Sequence, residues 1–477
     1  MTLPTPSESA WLRRSVDAPR AACLLGTLFS LAGVAHAQSA QAPAAPAPAP
    51  ASSAISWHGI TLYGIVDIGL QYDTHAAPFS DYFMAGSSDI VQKNSRQGIA
   101  GVTSNNLSQS RIGLNGLEPL NVGDWSGVFK LETFFNPASG QISDALKSLT
   151  QNNGRALHDQ NTNLDSSIGG QAFQQSFAGL SSPTYGTITF GRQNTVLADG
   201  VAKYDPNAAS QAFSLVGLSG TAAGGGDTQD RRMDSSLKYG LKYQAFRFGA
   251  EYKFSDNGNS GNSAYEFSLG GDYAGFSADA YYVKVKSAIA FSALSAAQVT
   301  TLPTLGFSSS NALAATISDN TTYSLMAMYT MKPFKFFAAY ENITYRNPEH
   351  PLPVGFDVAA YKIAVVNNAA YNEEKVLSVY WAGAKYSVDS NLDLTAAYYV
   401  YHQSSFATGA NAGCTTNVSG ACRGQLDVVS FDAVYKLSKR FDTFAGLMWS
   451  GVKDGSANGY IYSKNNVNPT IGVRFTF

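Results

Sequence analysis

Residues 320–346, NTTYSLMAMYTMKPFKFFAAYENITYR, decide the architecture. In the first half Tyr323, Leu325, Ala327 and Tyr329 fall on one face, and Thr322, Ser324, Met326 and Met328 on the other. A two-residue period marks a strand with unlike faces; an amphipathic helix would repeat every three to four residues. The spacing predicts strands over 320–332 and 334–346 with only Pro333 between them. Proline cannot donate to a β-ladder, so it fits the turn. Long stretches, 289–319 and 347–373, flank the hairpin on both sides.

The same texture extends through the chain. No segment after Trp57 holds a 3.6-residue period over three turns. Strands are predicted near 59–72, 107–118, 125–135, 171–183, 186–196, 232–243, 246–255, 264–274, 276–288, 320–332, 334–346, 374–388, 391–406, 423–438, 441–455 and 467–477, sixteen in all. The connections alternate. Short ones are 119–124, 184–185, 244–245, 275, 333, 389–390 and 439–440. Long ones are 73–106, 136–170, 197–231, 256–263, 289–319, 347–373, 407–422 and 456–466. A soluble sandwich also alternates, but a compact soluble domain rarely carries several structureless loops beyond about 15 residues. The pattern predicts an all-β, 16-stranded antiparallel transmembrane β-barrel, with tight turns at one rim and long loops at the other. Lipid offers the backbone no hydrogen-bond partner, so such a sheet closes on itself.

Composition agrees. Only 14% of the 477 residues are charged, against about 25% in soluble domains. Mean hydropathy is nevertheless −0.10. Uncharged polar residues, 44 Gly and 26 Tyr fill the gap. The aromatic content of 12% excludes disorder over most of the chain. A net charge of −2 without a basic block argues against a nucleic-acid partner. The Tyr and Phe excess suits a lipid-facing band with two interfacial girdles.

Residues 1–37 read as a cleaved signal peptide. Arg13, Arg14 and Arg20 precede an apolar run over 21–35, which ends in Ala35-His36-Ala37. Basic region, apolar region and small-x-small end are its three parts. The run falls short of the ~20 residues that a membrane anchor needs. Residues 38–56 read as an extended, unpacked Ala/Pro linker, and 57–477 as the barrel. Cys23 lies in the signal. Cys414 and Cys422 remain, and a pair in an exported chain is expected to form a disulfide. Phe477 closes an alternating strand, the usual mark of a barrel inserted by the outer-membrane assembly machinery.

Four motifs then carry a family resemblance. TLYGIVDIGL at 61–70, SRIGLNG at 110–116, FAGLS at 177–181 and GTITFGRQ at 186–193 occur in order. Together with Phe477 and the signal, they resemble the general (non-specific) trimeric porins of Gram-negative outer membranes, of the β-proteobacterial type. The resemblance implies a homotrimer that passes ions and small hydrophilic solutes by passive diffusion, without cofactor or metal. It also implies that the third long loop, 197–231, folds into the pore and narrows it. That loop supplies Asp199, Asp205, Asp227 and Asp230 as acidic candidates, with Lys203 among them. Acidic loop residues facing a basic wall would set up a transverse field that sorts ions.

Parity selects the wall residues. Ile112 and Leu114 are expected to face lipid, so Arg111 points inward. Phe129, Leu131, Thr133 and Phe135 share one face, so Lys130 and Glu132 point inward. Ser236, Lys238 and Lys242 face inward, and Arg232 and Asp234 continue their parity. Gln174 falls where the family usually has an inward arginine, which thins the basic wall. Arg192 shares the outward parity of Ile188 and Phe190 and reads as a structural or subunit-contact residue.

The six histidines show no metal-ligand spacing, and no phosphate loop or catalytic motif is present, so no enzyme activity is expected. Two other readings have distinct signatures. A substrate-specific channel for sugars or carboxylates would line its lumen with an aromatic slide, with Tyr282, Tyr340, Tyr399 and Tyr401 as candidates. A surface adhesin or structural barrel would act through its loops.

Overall fold

The computed structural model describes residues 55–82, 90–162, 172–218, 231–255, 263–414 and 419–477. Sixteen wall positions close into one antiparallel barrel. The first eight are β1 (Ile60–Ala76), β2 (in two pieces, Gln97–Ser104 and Arg111–Pro119), β3 (Ser126–Phe134), β4 (Gln175–Ser182), β5 (Gly186–Asn194), β6 (Arg232–Tyr243), β7 (Phe246–Lys253) and β8 (Ala264–Tyr273). The second eight are β9 (Phe276–Ser292), β10 (Ala312–Met331), β11 (Phe334–Arg346), β12 (Lys375–Ser387), β13 (Leu392–Gln403), β14 (Gly424–Lys436), β15 (Phe441–Asp454) and β16 (Asn465–Thr476). Consecutive strands pair, and β16 returns to β1 with Ile471 opposite Leu70. Gly64 and Phe477 complete the seam by exchanging both backbone hydrogen bonds at 3.0 Å.

The outer face shows the expected parity. Tyr323, Leu325 and Tyr329 of β10 are exposed while Met326 between them is fully buried. Rings pair around the outside in two tiers. Tyr282–Tyr323 and Tyr340–Tyr380 lie nearer the long-loop rim, and Phe334–Tyr386 lies at the short-turn rim. Such tiers suit the two interfaces of a bilayer, where an amphipathic ring meets both apolar and polar surroundings. Among the described residues no helix is long and apolar enough to cross a membrane.

Four sequence expectations need correction. The strand expected at 107–118 is broken, because Asp67 of β1 takes three amides that the ladder leaves over. Its carboxylate accepts the N–H groups of Asn106, Leu107 and Ser108 at 3.0, 2.9 and 3.0 Å. The segment 105–110 thereby leaves the wall and turns inward. The stretch 289–319 is not all loop, since β9 and β10 extend to 17 and 20 residues. Both faces of their extension are covered, with Leu313, Ala315 and Ile317 in one cluster and Ala312 and Ala314 in another. A strand buried on both sides loses the alternation that would reveal it. A short strand, Tyr361–Asn367, runs parallel to the start of β10 inside the stretch 347–373. Finally, the linker's last two residues, Ile55 and Ser56, join a strand with Trp57 that pairs with Ile60, Thr61 and Leu62, while their side chains stay exposed. Residues 1–54, with the signal peptide and the rest of the linker, lie outside the described residues.

Two loops carry helices that place the site. In loop two (135–174), α1 is Ala145–Thr150, capped by the Asp144 side chain on the Lys147 amide. In loop three (195–231), α2 is Val196–Tyr204, capped by Thr195 on the Ala198 amide. Such caps satisfy amides with no partner inside the helix. In loop seven (404–423) the structure joins Cys414 to Cys422.

Candidate channel lining and constriction

Loop three runs along the inside of the barrel and bonds to one strand after another. The Leu197 amide donates to Glu266 of β8 at 2.9 Å. The Tyr204 hydroxyl donates to Asp279 of β9 at 2.7 Å, and its carbonyl accepts the Trp381 indole N–H of β12 at 3.1 Å. Pro206 lies against Gly383 of β12, where a β-carbon would come within 2.4 Å of its ring. Asn207 donates to Tyr399 of β13 and Ser430 of β14, both at 3.1 Å. The ring of Phe213 meets Phe444 of β15 edge-on at 6.3 Å. The Asn106 carbonyl, in the inward turn that Asp67 creates, then accepts the Gln211 and Ala212 amides at 2.9 and 3.0 Å.

This course divides the interior. From β9 to β15 the inner wall presents Val283, Met326, Ile343, Val379, Val428 and Met448, all buried with α2 in one apolar cluster. From β2 to β7 it is polar and carries a cluster of charges of both signs, while the other arc holds separate buried carboxylates at Asp279, Glu341 and Asp432. Glu132 is the hub, its side chain only 1% exposed. It accepts Tyr63 Oη and Gln175 Nε2, both at 2.8 Å. Lys130 Nζ lies 3.4 Å away and Arg111 Nη1 3.8 Å away. The guanidinium groups of Arg111 and Arg232 sit 5.9 and 4.7 Å from the Phe134 ring centre. Arg232 is buried, and its Nε and Nη1 find no acceptor among the described residues. On the loop side, Asp199 of α2 is 54% exposed and meets Lys238 Nζ of β6 at 2.6 Å. It lies within Coulombic reach of Lys130 and Arg231. Further toward the short turns, Asp279 holds Lys203 at 3.2 Å and Arg247 at 2.8 Å. Burial pulls Lys203 below the ordinary lysine range against the opposing pull of Asp279.

The predicted residues therefore separate. Arg111, Lys130 and Glu132 come together, Arg232 joins them over Phe134, and Asp199 faces them. Asp205 does not. It is 2% exposed and accepts the Tyr399 hydroxyl and the Ala209 amide, both at 2.6 Å. Its chemistry is that of a loop anchor, and a carboxylate so enclosed does not line a lumen. Gln174 is replaced at the wall by Gln175. Gln174 lies just before β4, fully buried, with its amide donating to the Glu132 carbonyl at 2.7 Å, whereas Gln175 pairs with Glu132 in register. Asp234 also leaves the inward set. A register shift opposite 191–193 flips the strand there, and Asp234 pairs with Arg192 on the outward parity. Asp227 and Asp230 lie outside the described residues. The aromatic candidates divide as well. Tyr282 and Tyr340 belong to the outer tier, and Tyr399 and Tyr401 are buried beneath loop three. They form no slide.

Sequence reasoning passed over Asp67, Glu266 and Trp381. Asp67 stands inside a quoted motif, and a lone carboxylate in a membrane strand is signal enough for a structural task. Among the described residues no group of His, Cys, Asp and Glu could hold a metal.

The sequence matches the Gram-negative porin family over residues 21–455. The chain belongs to that family. This porin is an outer-membrane barrel. It is 29% identical over 203 residues to an outer membrane porin protein of Bordetella pertussis, covering 42% of this chain and 43% of that one. The match thus spans less than half the length of that relative. Its fold is similar to the anion-selective porin from Comamonas acidovorans, with a TM-score of 0.56 at 16% identity over 88% of this chain and 99% of that one. It is also similar to the outer membrane protein OmpT of Vibrio cholerae, with a TM-score of 0.52 at 15% identity over 89% of this chain and 100% of that one.

Proposed function

We propose that this porin is a water-filled channel for passive diffusion of ions and small hydrophilic solutes, with no catalytic step. The observation that carries the reading is loop three inside the barrel. It fills the apolar half and leaves a polar lumen along β2–β7, between Asp199 on one side and Arg111 and Lys130 on the other. Size exclusion acts at that passage and the opposed charges filter by sign. Arg111 and Lys130 bring two positive charges against the single negative charge of Glu132, and Lys238 balances Asp199, so the passage is net positive and anions are preferred. The Comamonas neighbour, itself described as anion-selective, agrees with this direction.

The test is the reversal potential under a KCl gradient. The wild type should give the sign of an anion-preferring channel. Arg111→Ala should move it toward cations, since Glu132 then keeps one cation partner where it had two. A wild-type potential of cation sign would reject the charge reading, and an unmoved potential in the variant would place Arg111 away from the passage.

The same porin is read as a homotrimer inserted by the outer-membrane assembly machinery, for which Phe477 is the expected signal. The Arg192–Asp234 pair supports self-association. It lies on the outward parity of β5 and β6, where lipid would leave an ion pair poorly solvated. A neighbouring subunit over that face would cover it. Arg192→Ala with Asp234→Ala should leave the trimer intact or tighter, whereas Arg192→Ala alone should shift native-gel mobility toward monomer. Equal behaviour of the two variants would remove the pair from the interface.

A further inference from the structure

The long-loop rim is bridged from one side of the barrel to the other, and the bridge is loop two. This loop leaves β3, yet it packs on β9 and β10, six and seven strands further round a ring of sixteen. α1 buries Leu146 and Leu149 against Phe291 of β9 and Leu313, Ala315 and Ile317 of β10. The next turn holds two adjacent asparagines with opposite partners. Asn152 Nδ2 donates to the Asn161 carbonyl at 3.0 Å, and that carbonyl also takes Asn94 Nδ2 of loop one (77–96) at 2.7 Å. Asn153 Nδ2 donates to the carbonyls of Ser309 and Ala312 at 2.8 and 2.7 Å, and its Oδ1 accepts the Leu294 amide at 2.7 Å. Asp144 repeats the arrangement. Its amide donates to the Tyr82 carbonyl of loop one at 2.9 Å, and its carboxylate accepts the Tyr361 hydroxyl at 2.7 Å. Loop one springs from β1 and β2; Ser309 and Leu294 belong to loop five (293–311), between β9 and β10. Hydrogen bonds therefore run continuously across the mouth.

We propose that loop two is an outer size filter, a strap that solutes pass beside before they reach loop three. Its seat is an apolar patch and a set of amide bonds, neither of which salt screens. It occupies space and adds little charge, so it discriminates by size and leaves ion sign to the passage below. Leu149 and Asn153 are its specificity-determining positions, the first through the seat and the second through three hydrogen bonds to loop five and the start of β10.

The experiment is liposome swelling with the full-length protein, using a pentose and a trisaccharide as probes. Leu149→Asn with Asn153→Ala should raise the trisaccharide-to-pentose rate ratio about fivefold, because a wider mouth gains most for the larger solute. The KCl reversal potential should stay at the wild-type value. An unchanged ratio in a barrel that is folded by heat-modifiable gel mobility would overturn the proposal. A ratio that rises together with a shifted reversal potential would also overturn it, by showing that loop three had moved. Where the polar residue at 149 blocks folding, Asn153→Ala alone keeps the apolar seat, and a ratio raised about twofold is then expected; no change would count against the strap.

Discussion

Replacing Asp205 with alanine should unseat loop three and raise single-channel conductance, with added open-channel noise. Two hydrogen bonds to a buried carboxylate are lost together, from Tyr399 and from the Ala209 amide. At about 1.5–3 kcal/mol for each bond to a charged group, the anchor loses roughly 3–6 kcal/mol. Asn207, two residues on, shares Tyr399 and does not replace the carboxylate. Planar-bilayer recording checks the outcome; a conductance equal to wild type would show that other contacts hold the loop. The pH dependence has a definite sign. Burial pushes the Asp205 carboxyl above the usual carboxylate range. The seated loop then binds the proton more tightly than the released loop, so seating is firmest in acid and weakens as pH rises through the raised value. Asp205→Asn cannot ionise and should flatten that dependence.

Gly64→Leu should prevent closure of the barrel. Three strands meet at this glycine. A β-carbon there would lie 2.2 Å from the Phe477 ring and 2.8 Å from the Arg111 carbonyl oxygen. The oxygen is backbone on β2, and the ring belongs to the residue that closes the seam with Gly64 itself, so relief on one side opens a ladder on the other. Overpacking of this kind costs about 1–3 kcal/mol in a soluble core. In a membrane the cost is larger, because an open ladder leaves amides facing lipid. Loss of the heat-modifiable folded band is expected. In refolding from denaturant into detergent, where no assembly machinery is needed, Gly64→Ala with Phe477→Ala should recover part of it relative to Gly64→Ala alone. If the double variant is no better, the ring contact is not the obstacle.

The barrel was legible because lipid imposes a simple rule. Each strand must show one apolar face, so Tyr323, Leu325 and Tyr329 declare themselves, and tight turns such as Ala274-Gly275, both at positive φ, mark the hairpins. Legibility failed where that rule lapses. The extensions of β9 and β10 rise past the barrel and are covered on both sides, so their alternation disappears. Arg111, Lys130 and Glu132 could be read by parity because their strands are regular. Asp234 could not, since a bulge reverses the faces, and no local pattern in 232–236 announces it. Asp205 looked like its neighbour Asp199. What separates them is a tyrosine nearly two hundred residues away, which no spacing rule reaches.

The apolar arc inside β9–β15 bears on how the molecule is made. Before loop three is in place, those strands expose apolar side chains on both surfaces, with Leu325 and Tyr398 outside and Met326 and Tyr399 among scattered polar groups within. An unfinished chain would resemble the core of an aggregate more than a hollow cylinder, and it would need shielding in the periplasm until its third loop had folded in. Loop three is thus an assembly part as well as an obstruction. An engineer who cuts it out to obtain a wide nanopore should expect a sticky, poorly wetted tube, unless Val283, Met326, Ile343, Val379 and Met448 are made polar at the same time.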